Sequence, residues 1–285
     1  MRAAERIGKL LRSRSPRGWA ATVCIYALAL TWLYPFLWMV AAALKPTAQI
    51  YNTGLFEGDF TLDNFRFLFA TADKLDRPFL QAMGISLLVT VSVTLSVLLS
   101  SAFIAFALAR LRFPGRKLFG DFLLLQMVIP TTMFILPLFV LIKQLGLLNS
   151  LGALILPFMM SGWGIYMMAQ SFKAMPEEYF DAARLDRASL WQTVTRVVAP
   201  LNKSIIAIVA LFTFTGTWDN FLWPLIAISD TDRMPLSVLL ATFSKQYGGY
   251  AGPVMAGAVL QTLPLVLLFV LFRRHFLQGM SLTLK

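Results

Sequence analysis

The sequence predicts an all-α integral membrane bundle of six transmembrane helices, with a charged, surface-lying helical segment between the fourth and fifth spans. Three observations carry this. The 285 residues are 58% hydrophobic and only 14% charged, with a mean hydropathy of +0.70, far more apolar than a soluble domain of this length needs. The apolar residues fall into six long runs, and the basic residues gather at the ends of alternate runs. The length also fits, because six spans of about 20 residues use about 120 and leave connections and tails, with no easy room for a second, soluble domain.

The charge-free stretches are Trp19–Leu44, Met83–Ala109, Phe122–Ile142, Gln144–Phe172, Ser204–Trp218 and Gln246–Phe272. They give a basic cytoplasmic N-tail over 1–18 and one transmembrane domain over 19–285, with spans at about 19–44, 83–109, 119–142, 151–172, 203–228 and 254–272. Five of the stretches can cross about 30 Å of hydrocarbon at about 1.5 Å per residue. The fifth is too short unless it runs through Asp219 and Asn220 to Ile226, so it is read as one span carrying two polar residues. The first has basic residues before it and Ala41, Ala42 and Ala43 near its end, as a secretory signal would. Its apolar part exceeds the about 7–15 residues of such a signal, so it is read as a retained helix.

Charge sets the direction. With the N-tail inside, Lys and Arg number 6 in that tail, 4 over Arg110–Lys117, 5 over Lys173–Lys203 and 3 in the C-tail, against 4, 1 and 2 in the outer loops. Both termini are therefore expected in the cytoplasm. The net charge of +11 would point to nucleic acid in a soluble protein, but here it flanks spans, and no nucleic-acid partner is expected. Pro35, Pro130, Pro137, Pro157, Pro224 and Pro264 lie inside spans, where each removes a backbone donor that neighbouring helices or a watered cavity must compensate. Cys24, the single cysteine, excludes an internal disulfide and a thiolate cluster.

The segment 176–200 is charged yet keeps apolar residues at helical spacing, and it reads as two short helices joined by a turn. Pro176 suits a first helical position, and Glu177 and Glu178 complement the positive end of the dipole. Ser189 and Gln192 form a capping box for a second helix running toward Val197. Apolar Tyr179, Phe180, Ala183 and Leu190 could pack beneath the bundle.

This segment resembles the signature loop of ABC-importer permeases: Glu-Ala-Ala, three residues, Gly, nine residues, Ile, one residue, Leu, Pro. Here it reads Asp181-Ala182-Ala183, then Arg187, then Val197, Ala199 and Pro200, with every spacing kept. The preceding Pro176-Glu177-Glu178 and the phrases Leu111–Arg116, Leu145–Asn149 and Trp218–Leu225 resemble the carbohydrate-uptake, maltose-type branch, and the likeness runs from about Leu44 to the C-terminus. Two positions depart: Asp181 stands where the family usually has Glu, and Arg187 where it usually has Gly. If the turn needs a positive φ, Arg187 costs about 1–2 kcal/mol relative to Gly, which implies either a different turn or an acidic partner on the ATPase.

The resemblance implies a permease subunit, not itself an enzyme, that moves a sugar or oligosaccharide inward. Its partners would be a homologous second permease, two cytoplasmic ATPase subunits, an extracytoplasmic sugar-binding protein and membrane lipid, in a bacterial or archaeal plasma (inner) membrane. Glu178, Asp181, Ala182, Ala183, Asp186, Arg187 and Pro200 would form the coupling helix region that engages the ATPase. No cofactor is expected on this chain; ATP and Mg would sit on the partner, since no Gly-rich loop ending in Lys-Ser or Lys-Thr occurs here.

A sugar needs an aromatic face and a few amides or hydroxyls. Trp163, and Thr217, Asp219 and Asn220, supply these, and Gly162 beside Trp163 would allow close approach. By the resemblance, Trp163 falls where a sugar-contacting aromatic lies in some relatives, and Thr217 and Asn220 fall at their polar contacts. The bland alternative is that Trp163 and Trp218 are interfacial belt residues and that Asp219 and Asn220 are satisfied within the bundle. No metal site is expected, since His275, the only histidine, follows Arg273 and Arg274 at a span end. Asp and Glu are absent from the charge-free stretches of the first four spans, which weighs against an ion-coupled secondary transporter, and Asp219 alone supports it. A permease for glycerol phosphate or a related polyol ester is the other alternative. Neither Ser-His nor His-Glu-x-x-His spacing supports an intramembrane enzyme.

Overall fold

The computed structural model describes residues 16–70, 78–246 and 251–282, and no strand occurs among them. The expected N-tail lies outside the described residues through position 15, and the side chain of His275 lies outside the described side chains. Two compact units are present: Met1–Thr71 with Ser244–Leu260, and Ala72–Phe243 with Gln261–Lys285.

In the first unit, helix α1 (Pro16–Ala43) is apolar around its whole circumference. Its side chains from Val23 to Leu37 are mostly half or more exposed, as suits a helix whose solvent is lipid. The chain then turns at Lys45, which is 2% exposed and donates from Nζ to Thr53 Oγ1 and to the Gly54 carbonyl. Helix α2 (Asp63–Ala70) follows, and Asn64 on it is buried, donating to the carbonyls of Ala43 and Lys45 at 2.8 Å each. A Cβ on Gly252 would stand 2.3 Å from Asn64 Oδ1, so only glycine fits there.

The second unit is organised on helix α3 (Phe79–Arg110), long enough to cross a bilayer alone. Helix α4 (Arg116–Val128) and helix α5 (Ile135–Gln144) come next, then α6 (Leu151–Ile155) and α7 (Gly162–Lys173). Helix α3 packs against α7 and against α10 (Lys203–Trp218). Val93, Val97 and Ala105 meet Ile165, Met168, Phe172 and Val209 in a core in which each is 1% exposed or less. Gly164 lets the three helices close up, because a Cβ there would lie 3.0 Å from Ser101 Oγ and 3.2 Å from Val209 Cγ1.

Among the described residues four helices are long and apolar enough to cross a membrane, Thr22–Ala43, Phe79–Arg110, Leu151–Lys173 and Ala251–Arg273, and the number rises to six if each of two bent pairs is one span. The span expected at 119–142 is bent by 95° between α4 and the turn-and-helix Thr131–Gln144. Pro130 explains it, forcing Ile129 into extended backbone (φ −79°, ψ 123°). Pro137 is harmless because it sits in the first turn of α5, where no donor is needed. Within Leu151–Lys173, Pro157 heads a tight turn, Ser161 caps α7 by accepting from Gly164 N–H, and the Met159 carbonyl in the break accepts from Ser100 Oγ on α3.

The stretch expected as the fifth span, 203–228, is not one continuous helix. Helix α10 stops at Trp218, and α11 (Leu222–Ala227) starts anew after Asp219–Phe221. The Asn220 carbonyl is used by Ser237 Oγ instead of a continuing helix. Trp223 Nε1 donates to the Ala153 carbonyl and fixes α11 beside α6. Helices α12 (Leu236–Gln246) and α13 (Ala251–Leu282) are the last among the described residues.

Candidate functional site

The charged segment forms the two helices expected, α8 (Glu178–Leu185) and α9 (Leu190–Leu201), the latter containing a π-helical stretch at Thr193–Val198. Pro176 lies two residues ahead of α8, not at its first position, and Glu177 is the N-cap. The capping box of α9 is complete: Gln192 N–H donates to Ser189 Oγ at 3.3 Å and Ser189 N–H to Gln192 Oε1 at 2.8 Å.

Helix α8 turns Phe180 and Ala183 inward, 3% and 6% exposed, and leaves Glu178, Asp181, Ala182, Asp186 and Arg187 in solvent. Leu185 is 85% exposed at its end, an unusual site for a large apolar side chain unless something covers it. Asp181 pairs with Arg184 at 2.8 Å, and Arg184 reaches Glu177 at 3.7 Å. These are surface pairs, worth about 0–1 kcal/mol each.

Arg187 has φ +52°. The helix closes with a Schellman pair around it: Ala188 N–H donates to the Ala183 carbonyl at 2.9 Å and Arg187 N–H to the Arg184 carbonyl at 3.0 Å. The turn is therefore the left-handed one that glycine favours, and the different turn considered from sequence is not adopted. Among the described residues Arg187 makes no ion pair.

Sequence reasoning missed the anchor of the segment. Arg110, the last residue of α3, is 12% exposed in its side chain and donates to Glu177 Oε2 at 2.6 Å, the Phe172 carbonyl at 2.7 Å and the Met175 carbonyl at 2.5 Å. Its guanidinium carbon also lies 4.0 Å from the Phe180 ring centre. Phe106 packs on Phe180, and Phe103 stacks on Trp191 at 5.2 Å, so one face of α3 grips both helices. At the far end the chain turns by 90° at Asn202. That side chain donates to Met175 Sδ and the Val198 carbonyl and accepts from Ser171 Oγ. Pro200 lies exposed just before this corner. The only local signal was an arginine ending a long charge-free run; its partners stand more than 60 positions away.

The expected pathway residues divide into separate places. Thr217 and Asn220 line a cavity of about 20 Å³ with Ser86, Thr90 and Trp223. Trp163 is half-buried, packed on Phe212 with ring centres 5.3 Å apart, outside that lining. Gly162 does permit a close approach, by Gln126, whose Oε1 would lie 2.7 Å from a Cβ. Asp219 is exposed and bonded to the Gln261 side chain, while Trp218 is 3% exposed and donates to the Gln261 carbonyl. Trp218 is thus packed, not a belt residue. No cluster of metal-ligating groups occurs among the described residues.

Residues 101–282 match a family profile described as "Binding-protein-dependent transport system inner membrane component". The chain is 32% identical to the arabinooligosaccharides transport system permease protein AraQ of Halalkalibacterium halodurans, covering 95% of this chain and 97% of that one. It is 32% identical to the lactose transport system permease protein LacG of Rhizobium radiobacter, covering 89% and 91%. Among solved structures it resembles a chain of a bacterial ABC transporter involved in the import of the acidic polysaccharide alginate, with a TM-score of 0.82, 23% identity, and 93% and 98% of the two chains covered. That likeness establishes the fold.

Proposed function

Because the chain belongs to the binding-protein-dependent transport system inner membrane components, the multi-pass permease subunits of ABC importers, we propose that it carries a sugar or oligosaccharide inward through a heterodimer with a homologous permease. ATP and Mg are bound and consumed on two cytoplasmic ATPase subunits, and an extracytoplasmic binding protein delivers the sugar. Both termini face the cytoplasm, following the basic-residue bias. The named relatives transport arabinooligosaccharides and lactose, which supports a carbohydrate over the ion-coupled alternative.

The observation that carries the reading is the outward face of α8. Glu178, Asp181, Asp186 and Arg187, with small Ala182 between them and Leu185 uncovered, form a short amphipathic helix fit for a groove on another subunit. Its inward face, Phe180 and Ala183, is tied through Arg110 to α3, and Asn202 ties the far end to α7. A push on α8 therefore moves α3, α7 and α10 together. Thr217 and Asn220 near the cavity, and Trp163 with Gly162 on α7, are the proposed pathway contacts, with Asp219 at the helix break.

The test is ligand-stimulated ATP hydrolysis by the reconstituted complex with its binding protein, across oligosaccharides, monosaccharides and glycerol phosphate. Stimulation by a carbohydrate, lost in Asp181→Lys together with ATPase co-purification, is the expected result. Stimulation by glycerol phosphate alone, or normal assembly and transport in Asp181→Lys, overturns it.

A further inference from the structure

We propose that the cavity framed by the start of α4 and the ends of α3 and α7 holds the headgroup of an anionic phospholipid, taken from the leaflet beside α8 and α9. The cavity encloses about 320 Å³, within the range of small-ligand sites. Its lining includes apolar Leu108, Leu123, Leu124 and the ring of Tyr166, with Gln170 as a neutral polar side chain beside them. Its rim is basic, with Arg116, Lys117 and Lys173 against one acid, Asp121. Among the described residues Lys117, Lys173 and Asp121 make no ion pair, so the rim keeps its excess positive charge.

The local backbone adds to that excess. Arg116 and Lys117 occupy the first turn of α4, which has no acidic residue and no side-chain cap from Gly115. Two cations at the positive end of a thirteen-residue helix repel its dipole, and an anion placed there relieves both at once. Arg116 is held in place by donating to the Leu111 and Ala109 carbonyls, so one cation of the rim is preset. Outside the cavity the surface of α4 stays apolar, with Leu118 75%, Phe122 58% and Leu125 60% exposed, and offers a track for acyl chains. A phosphate on a basic rim at the membrane surface, with chains running along the helix, matches an anionic lipid. A free anion would leave the apolar side chains of the lining unused, and a zwitterionic lipid would put its own ammonium among the cations.

The inference rests on the multi-pass membrane reading and not on which sugar is carried, so it is tested without transport. The full chain in detergent is given equal phosphatidylglycerol and phosphatidylcholine of matched acyl chains, and retained lipid is counted by native mass spectrometry. Retention of phosphatidylglycerol by about tenfold or more is expected from a net excess of two basic groups on one phosphate. Lys117→Gln with Lys173→Gln should bring the preference to about twofold or less, whereas Lys117→Arg with Lys173→Arg, and Lys143→Gln at the far end of α5, should keep it. Added phosphatidylglycerol should raise the melting temperature of the wild type and the Arg variant but not of the Gln variant. Equal retention of the two lipids, or a preference unchanged in the Gln variant, overturns the proposal. So does displacement of the lipid by soluble glycerol phosphate at equal concentration, which would mark a free-anion site, or loss of the lipid when the partner permease assembles, which would mark a subunit interface.

Discussion

Replacing Arg187 by glycine should tighten the end of α8. The residue sits at φ +52° within a completed Schellman motif, and a left-handed conformation costs a residue with a Cβ about 1–2 kcal/mol. Glycine removes that cost but brings about 0.5–1 kcal/mol of extra unfolded-state entropy, leaving a net gain of about 0.5–1 kcal/mol. At about 1.4 kcal/mol per factor of ten, local opening should become about 2–5-fold rarer. Hydrogen exchange of the peptide spanning α8 and its cap, in the purified full chain, reads this directly through the amides of Arg187 and Ala188. Arg187→Ala is the control, because it deletes the same guanidinium and keeps the Cβ. Slowing in the glycine variant alone is expected. Equal slowing in both, or faster exchange with glycine, would refute the strain argument and point to the side chain itself.

Arg110→Ala should destabilise the chain by about 3 kcal/mol, since a nearly buried guanidinium binding two carbonyls and a carboxylate is lost. Glu177→Gln should cost at most about 1 kcal/mol because that carboxylate is half-exposed, and thermal denaturation of the two variants separates the effects. Gly164→Ala should cost about 1–3 kcal/mol by forcing α3 and α10 away, whereas Gly84→Ala, with open space around it, should leave the melting temperature unchanged or higher. Trp163→Ala should impair uptake more than basal ATP hydrolysis; unimpaired uptake would leave Trp163 as a packing partner of Phe212. In a Cys24→Ala background, Asp59→Cys should label from outside and Ser189→Cys only from the cytoplasm, both positions being exposed, and the opposite pattern would reverse the topology.

Much of this was legible in the chain because bilayer insertion is governed by apolar length and flanking charge, both of which are one-dimensional properties. The all-helical class, the apolar runs, the two-helix charged segment and its Ser189–Gln192 capping box all follow from residues near one another in sequence. The spacing from Asp181 to Pro200 located the surface helix, and the positive φ foreseen as a condition at Arg187 is the conformation adopted. The breaks were half legible: Pro130 and Pro224 were visible, but whether a proline kinks a span, bends it by 95° or heads a new helix depends on where the freed carbonyls find donors. Only the tertiary structure decided the rest. Arg110 became the anchor because folding brings Glu177 and the carbonyls of Phe172 and Met175 to it across more than sixty positions. Trp163 and Thr217 were parted for the same reason: composition names the groups able to touch a sugar, whereas which of them share a surface is set by helix rotation and packing, which no local pattern encodes.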